Sequence, residues 1–193
     1  MEVLVKNIIS IFTIVDGEVK LLLKDNDVIS VYCSDDINVV NEKYIKENLD
    51  IKGLKLKQCC TFSEKKDNKL IISILFIDII NYNNINLNDN FNLVSIKELD
   101  INKKYIKESL NFLKKELILS STLKKLYPDE FSLPEIQKIY EETLNKKYDR
   151  RNFRKRLIKL DIVEPLEKIG PIKNGRPARL YRLKEIKEER VIF

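Results

Sequence analysis

The chain has 193 residues, of which 44% are hydrophobic, and a formal net charge of +6 without a single histidine. This length suits one large domain or two small ones, and the hydrophobic content is sufficient for a buried core, which excludes a wholly disordered chain. Because histidine is absent, nucleophile systems built on Ser-His or Cys-His pairs are excluded, and an enzyme would have to use carboxylates, lysine or a metal.

The chain contains three cysteines, Cys33, Cys59 and Cys60. Their odd number and the adjacency of two of them predict reduced thiols in the core of a cytoplasmic protein and no disulfide framework. Zinc is not expected, since the chain lacks both histidine and a C-x₂-C pair. No uncharged apolar run approaches eighteen residues, and the first residues lack the pattern of a secretory signal. We therefore expect neither a membrane span nor a leader peptide.

Charge is distributed unevenly along the chain. Residues 1–119 contain 17 Lys and Arg against 18 Asp and Glu, whereas residues 120–193 contain 19 against 12, giving net charges of −1 and +7. All eight arginines lie between Arg150 and Arg190, and the planar guanidinium suits phosphates and guanine edges. The asymmetry predicts two domains, the second of which either binds nucleic acid or merely has a solvated basic surface.

The first hundred residues are predicted to form an α+β domain. An Asp-Gly pair at residues 16–17, between two apolar runs, indicates a β-hairpin. The spacing of apolar residues from Asn38 to Leu49 predicts a short helix. The predicted strands are Val3–Val15, Glu18–Lys24, Val28–Cys33, Leu54–Phe62, Leu70–Ile80 and a run from Phe91, with a possible helix start at Ser95.

Residues 101–127 are predicted to form a connecting helix. Leu110, Leu113 and Leu117 recur at helical spacing, and the segment contains neither glycine nor proline before Pro128. A break near Ser120 is compatible with the sequence.

Residues 128–193 have the pattern of a winged helix-turn-helix domain, namely two helices followed by a basic hairpin. Ser132 with Glu135 predicts a capping box at the first helix. Asp149 is the expected cap of the second helix, whose inner side is predicted to consist of Phe153, Leu157 and Leu160. Two strand-like runs follow, and the cation-rich loop Pro171–Pro177 lies between them.

The geometry of the second helix assigns its cations to the side that faces away from the core. At about 100° per residue, Arg151 and Lys155 lie opposite the apolar stripe, with Arg150 and Arg154 beside them. The amino-terminal half of such a helix reads bases in the major groove. Asn152 suits an adenine edge if the helix is tilted, and Lys159 suits the flanking backbone. The predicted DNA-binding residues are Arg150, Arg151, Asn152, Arg154, Lys155 and Lys159, with Lys173 and Arg176 from the wing loop.

The other arginines receive weaker assignments. Arg156 and Arg179 are expected either to contact DNA or to pair with acidic neighbours. Arg182 and Arg190 are expected to be surface residues.

The segment from Phe131 to Leu166, together with Gly175–Leu183, resembles the Nudix-related transcriptional regulators, the NrtR-like family. The motifs are Phe131-Ser-Leu, Tyr140-Glu, Asp149-Arg-Arg-Asn-Phe-Arg and Gly175-Arg-Pro-Ala-Arg-Leu-Tyr. The resemblance implies a winged helix that follows a Nudix-like domain, which senses ADP-ribose or a related nucleotide. It also implies a homodimer bound to operator DNA, often as a repressor of genes for NAD metabolism or sugar use.

The first domain departs from the Nudix pattern where hydrolases bind magnesium. No glycine lies between Gly17 and Gly53, and the R-E-x-x-E-E core is missing. Glu42 and Glu47 remain, five residues apart, whereas spacings of three or four place carboxylates on one metal. The expectation is a degenerate Nudix-like α/β sandwich followed by a winged helix-turn-helix domain, without hydrolase activity, metal or resident cofactor. The alternatives are a residual ADP-ribose hydrolase, or a domain that senses nothing and only dimerises.

Overall fold

The computed structural model describes residues 1–127, 130–170, 178–185 and 188–193. The chain divides into two compact units. The first contains Met1–Thr13 and Lys20–Phe112, and the second contains Ile14–Val19 and Leu113–Phe193. Strands dominate the first unit, whereas helices and a small sheet form the second, which confirms the predicted α+β class.

The first unit is built on a mixed sheet with the strand order β5-β6-β1-β2-β8, in which β3 also pairs with β1. Strand β1 runs parallel to β6 and antiparallel to β3, while β5 is antiparallel to β6 and β2 to β8. A separate two-stranded sheet joins β4 to β7. The elements are β1 (Glu2–Val15), β2 (Glu18–Lys24), β3 (Ile29–Tyr32), α1 (Ile37–Asn48), β4 (Asp50–Ile51), β5 (Lys57–Lys66), β6 (Lys69–Ile79), a 3₁₀ turn (Tyr82–Asn84), β7 (Ile85–Asn86), β8 (Phe91–Ser95) and α2 (Lys104–Leu117).

Two-residue turns with left-handed backbone join neighbouring strands of this sheet. Asp16 and Gly17 have φ of 53° and 72° between β1 and β2, and Asp67 and Asn68 have φ of 49° and 60° between β5 and β6. Positive φ at both central residues matches the twist of the flanking strands. The hairpin predicted from the Asp-Gly pair is confirmed.

Helices α1 and α2 cover opposite faces of the sheet. Successive side chains of a strand point to opposite faces, and β1 shows this alternation. Asn7 Nδ2 donates to Asn41 Oδ1 of α1 at 2.8 Å, whereas the Ser10 and Ser109 hydroxyls, the latter in α2, lie 2.7 Å apart. The core on the α1 side consists of Ile9, Ile11, Leu22, Ile29, Leu49, Ile80, Ile85 and Phe91.

Two details of the first unit differ from the predictions. Ser95 begins a turn and not a helix: the Glu98 amide donates to the Ser95 carbonyl oxygen at 2.9 Å, and α2 begins only at Lys104. The three cysteines are free, as predicted, but half-buried and not in the core. The physical reason is their position, because Cys59 and Cys60 belong to the edge strand β5 and Cys33 follows the short strand β3.

The second unit contains two consecutive helices that pack against a three-stranded sheet with the order β10-β11-β9. A short helix precedes these two helices, and two residues separate it from the end of α2. Residues 101–127 therefore contain two helices and not one. Tyr140, fully buried, donates its hydroxyl to the Leu117 carbonyl oxygen at 2.7 Å. The elements are α3 (Ser120–Leu126), β9 (Glu130–Ser132), α4 (Leu133–Leu144), α5 (Arg150–Lys159), β10 (Val163–Ile169) and β11 (Arg179–Leu183).

The segment Glu188–Phe193, here called the C-terminal tail, packs on the second unit. The Ile192 amide donates to the Ile118 carbonyl oxygen at 2.7 Å, and Ile192 is fully buried. Phe193 stacks on Phe153 with ring centroids 5.0 Å apart, and it contacts the rings of Tyr140 and Tyr148 at 5.1 and 4.7 Å. The tail therefore completes the apolar core behind α5.

Within the described ranges, no helix has both the length and the apolar character needed to cross a membrane.

Candidate nucleic-acid interface

The start and the inner side of α5 follow the prediction. Asp149 Oδ1 accepts a hydrogen bond from the Asn152 amide at 2.9 Å, which satisfies one of the free donors in the first turn. Phe153 and Leu157 are 2% and 0% exposed, and Leu160 is half-buried just after the last helical residue. The helix is therefore fixed on one side by its apolar residues, and this leaves the other side to solvent.

The turn between α4 and α5 is held by one carboxylate, which the sequence analysis did not single out as a site residue. Glu141 accepts hydrogen bonds from Gln137 Nε2 and the Tyr148 amide, each at 2.9 Å, and from Lys147 Nζ at 3.1 Å. These donors, first that of Gln137, lower the pKa of Glu141 to about 2. Gln137 Nε2 also donates to the Tyr148 carbonyl oxygen at 2.8 Å. Glu141 thus sets where α5 begins relative to α4.

The amino-terminal end of α4 and the turn itself also have local causes. Ser132 and Glu135 form the predicted capping box, with the Ser132 amide donating to Glu135 Oε2 at 2.9 Å. Asn145 ends α4 in the left-handed conformation with φ of 50°, which asparagine tolerates better than most residues. The chain can therefore reverse within a few residues before Asp149.

The predicted DNA-binding residues of α5 are all exposed, Asn152 included. None of the cations among them forms an ion pair or a side-chain hydrogen bond with any residue in the described part of the chain. Positive charge without an internal partner is available to an external anion. We call this set the cationic face, and it comprises Arg150, Arg151, Arg154, Lys155 and Lys159.

Four other arginines of the second unit have partners within the protein. Arg156 Nε donates to the Ile192 carbonyl oxygen, and its guanidinium lies 5.5 Å from the Phe193 ring centroid. Arg179 Nε donates to the Leu166 carbonyl oxygen at 3.1 Å. Arg182 pairs with Glu164, and Arg190 lies 4.0 Å from Glu188.

Neither Arg156 nor Arg179 pairs with an acidic side chain in the described part of the chain, so that alternative finds no support here. Their partners are backbone carbonyl oxygens, because the C-terminal tail and the hairpin present main chain at those positions. Arg182 and Arg190 are exposed, as predicted.

The wing is an antiparallel pair extended by a third strand. Glu164 lies opposite Arg182, and Ile169 opposite Arg179, with an irregularity in register between them. Strand β9 pairs with β11 through Phe131 and Tyr181. The sequence analysis did not predict β9, since three residues are too few for a period-two pattern. Lys173 and Arg176, predicted to contact DNA from the wing, lie outside the described residues.

The first unit offers no assembled metal site in the part of the chain that the structure describes, where no group of three or more Cys, Asp or Glu residues is placed to hold an ion. Glu42 and Glu47 are exposed on α1. Because their positions differ by five, they point about 140° apart around the helix. They do not form the paired carboxylates of a Nudix metal centre.

Comparison with known proteins gives matches to one family and one fold. Residues 124–183 match the family model of the NrtR DNA-binding winged helix domain. None of the curated proteins matches the chain. Shewanella oneidensis NrtR complexed with a 27mer DNA aligns with a TM-score of 0.70 and 17% identity over 93% of each chain. Shewanella oneidensis NrtR alone gives 0.68 and 17% over 94% of each.

A MutT/nudix family protein from Enterococcus faecalis aligns with a TM-score of 0.64 and 13% identity, over 95% of this chain and 87% of that one. These structures show the same two-part fold along nearly the whole chain, and the family match identifies its second part. Residues 124–183 therefore match the NrtR DNA-binding winged helix domain, and they follow a domain with a Nudix-like fold.

Proposed function

We propose that this protein is a transcriptional regulator that binds double-stranded operator DNA through α5. The observation that carries the proposal is the cationic face: five exposed cations without a described partner, on a helix fixed from behind by Phe153 and Leu157. Cations that neutralise DNA phosphates release counterions and so provide affinity. The structurally similar Shewanella oneidensis NrtR has been solved with a 27mer DNA, which supports the same use of the fold here.

The roles proposed for the predicted residues follow from their positions in the domain. Arg151 and Lys155 face the major groove, since they lie opposite the buried side of α5. Asn152 reads an adenine edge, and Lys159 contacts the flanking backbone. Lys173 and Arg176, from the wing loop, complete the proposed set with contacts to a phosphate or a narrowed minor groove.

The proposed assembly is a homodimer in the cytoplasm. One winged helix contacts one half-site, and two half-sites about one helical turn apart require two copies. An effector would act by favouring a dimer geometry that no longer matches the half-sites, which releases the DNA and makes the protein a repressor. Sedimentation of the free protein and of its DNA complex tests this assembly.

For the Nudix-like domain we propose a sensor of ADP-ribose or a related nucleotide, without catalysis. The support is the family resemblance together with the exposed, separated positions of Glu42 and Glu47. The alternative is a domain that only dimerises. Calorimetry with ADP-ribose and NAD separates the two, because absence of heat and of any thermal shift favours the second.

A hydrolase remains testable in the same sample. Magnesium-dependent release of AMP from ADP-ribose, lost in Glu47→Gln, would contradict the non-enzymatic proposal. The matched control is Lys43→Gln, a change on the same helix that leaves both glutamates in place.

The direct test of DNA binding uses a duplex that the protein enriches from a random pool. Fluorescence anisotropy at two salt concentrations is expected to show affinity that falls steeply with salt. Arg151→Ala should weaken binding about tenfold, which corresponds to the loss of one good bidentate contact. Unchanged binding in this variant would contradict the placement of α5 in the groove.

A further inference from the structure

A cleft of about 380 Å³ opens beside α5, between the beginning of α4, the beginning of α5 and β11. Leu133, Phe153 and Tyr181 contribute apolar surface to it, and Arg150, Arg154 and Arg179 contribute the charge. No acidic side chain occurs among the described residues that line it. The cleft is therefore an apolar recess with three positive charges. Arg150 and Arg154 belong to the cationic face, but Arg179 and the apolar lining do not.

The three arginines come from two different elements, Arg150 and Arg154 from α5 and Arg179 from β11. At about 100° per residue, Arg150 and Arg154 lie on one flank of α5, whereas Arg156 lies on the opposite flank, where it contacts the tail. Arg179 approaches the first flank from β11, held by its bond to the Leu166 carbonyl oxygen at 3.1 Å. That bond uses Nε, so the terminal nitrogens of Arg179 have no partner in the described part of the chain.

The walls of the cleft are fixed by contacts already described. Gln137 lines it, and its amide group is held between Glu141 and the Tyr148 carbonyl oxygen. Phe153 is anchored by the rings of Tyr140 and Phe193. The first residues of both helices also line the cleft, namely Leu133 and Pro134 of α4 and Arg150 of α5. These walls of the cleft are thus held in place before any ligand binds.

We propose that this cleft seats one backbone phosphate of the bound DNA with its deoxyribose, and so positions α5 on the duplex. The inference rests on the proposed DNA-binding function and divides the cationic face into two parts. Guanidinium groups bind phosphate through paired N–H donors, and the apolar recess fits the carbon face of the sugar. Arg150, Arg154 and Arg179 hold the backbone, while Arg151 and Lys155 remain for the bases. Arg179, outside the predicted set, thereby joins the interface.

The first test compares two duplexes, one enriched by the wild-type chain from a random pool and one with the same composition in scrambled order. Arg154→Gln and Arg179→Gln are each expected to weaken both duplexes alike, by about tenfold. Each should reduce the magnitude of the salt slope by about 0.9, the value for one phosphate contact. Arg151→Gln should instead weaken mainly the enriched duplex.

The matched control is Arg190→Gln, which removes the same charge from an exposed position outside the cleft. It should leave both affinities within about twofold. Circular dichroism and thermal melting of every variant confirm that the fold is retained.

The second test replaces single phosphates of the enriched duplex by neutral methylphosphonates. One position in each half-site should weaken binding by the wild-type chain and should have little further effect on the double variant Arg154→Gln, Arg179→Gln. Such coupling between one phosphate and these two side chains is the expected result.

Several outcomes overturn the inference. They include an unchanged salt slope in both variants, a loss confined to the enriched duplex, and methylphosphonate effects that add independently. A thermal shift by inorganic phosphate or a deoxynucleoside monophosphate, lost in Arg154→Gln while DNA binding persists, would assign the cleft to a free phosphate compound. If the wild-type chain binds no duplex at all, the proposed function itself fails, and this result is distinct from the others.

Discussion

Helices α1 and α5 begin in the same way but present different surfaces. Asp36 caps α1 by accepting the amides of Asn38 and Val39 at 2.9 and 3.3 Å, and Asp149 caps α5 with the same side-chain chemistry. An aspartate cap supplies an acceptor for free amide donors wherever a helix starts. The cap therefore indicates where a helix begins and says nothing about what it binds.

The side chains after the cap make the difference. The middle of α1 has balanced exposed charge from Glu42, Lys43, Lys46 and Glu47, and its one fully buried side chain is Asn41. The exposed side of α5 contains cations and no acid, and its buried residues are Phe153 and Leu157. A helix held by large apolar residues can display a surface of one charge sign, because its position does not depend on that surface.

The largest expected difference between the two helices is the loss of folding stability when a buried side chain that anchors each helix is truncated. Phe153→Ala should lower the free energy of unfolding by about 3–5 kcal/mol, since it empties the centre of the aromatic cluster. Ile45→Ala on α1, where the side chain is half-buried, should cost about 1–2 kcal/mol. Urea denaturation followed by circular dichroism measures both.

The control for this prediction is Ile158→Ala, whose side chain is 48% exposed on α5. It should change stability by about 0.5 kcal/mol or less. Equal losses from Phe153→Ala and Ile158→Ala would contradict the description of how α5 is anchored.

A matched removal of two charges sharpens the comparison of the surfaces. Arg151→Gln with Lys155→Gln should weaken DNA binding about a hundredfold at low salt, because two contacts in the groove are lost. Lys43→Gln with Lys46→Gln on α1 removes the same charge and should leave affinity within about threefold. Fluorescence anisotropy titrations of one duplex with both double variants measure the two losses of affinity. Similar losses would mean that net charge, and not the position of α5, determines binding.

We expect the aspartate caps of the two helices to contribute equally to folding stability. Asp36→Ala and Asp149→Ala should each lower stability by about 1 kcal/mol, whereas the corresponding changes to Asn should largely preserve it. Thermal melts of the four variants provide the measurement. A loss on change to Asn as large as on change to Ala would show that charge matters more than the accepted hydrogen bond.

The smallest expected effect is a dependence of folding stability on acidic pH, which arises from Glu141 in the α4–α5 turn. The folded-state pKa of Glu141 is lowered to about 2 from an ordinary value of 4.5. Its stabilising contribution is therefore complete above about pH 4.5 and is lost as the pH falls toward 2. Glu141→Gln should reduce the difference in unfolding midpoint between pH 6 and pH 3. An unchanged difference would remove Glu141 from this role.

Local signals in the sequence were sufficient to predict much of this fold. The Asp16-Gly17 turn, the capping box at Ser132 and the cap at Asp149 each depend on a few neighbouring residues. The spacing of Phe153 and Leu157 likewise defined the inner side of α5 and, by subtraction, its exposed cations.

Features that depend on contacts distant in sequence could not be predicted in this way. The C-terminal tail has no periodic pattern, and its packing on Phe153 and its bond to Arg156 depend on residues some forty positions earlier. The cleft beside α5 requires Arg154 of α5 and Arg179 of β11 to line the same recess, although they lie far apart in the sequence. Ser95 was misassigned because a serine that starts a turn and one that caps a helix have the same local chemistry.

In α5, the residues that hold the helix and the residues that face solvent are different residues. Asp149, Phe153 and Leu157 can stay constant while Arg151, Asn152 and Lys155 are varied, at little expense to folding. Substitutions at these exposed positions are therefore expected to change the surface that α5 presents while changing the thermal stability by little. A randomised library at those three exposed positions should yield folded proteins with new target sites, which makes this helix a practical starting point for retargeting.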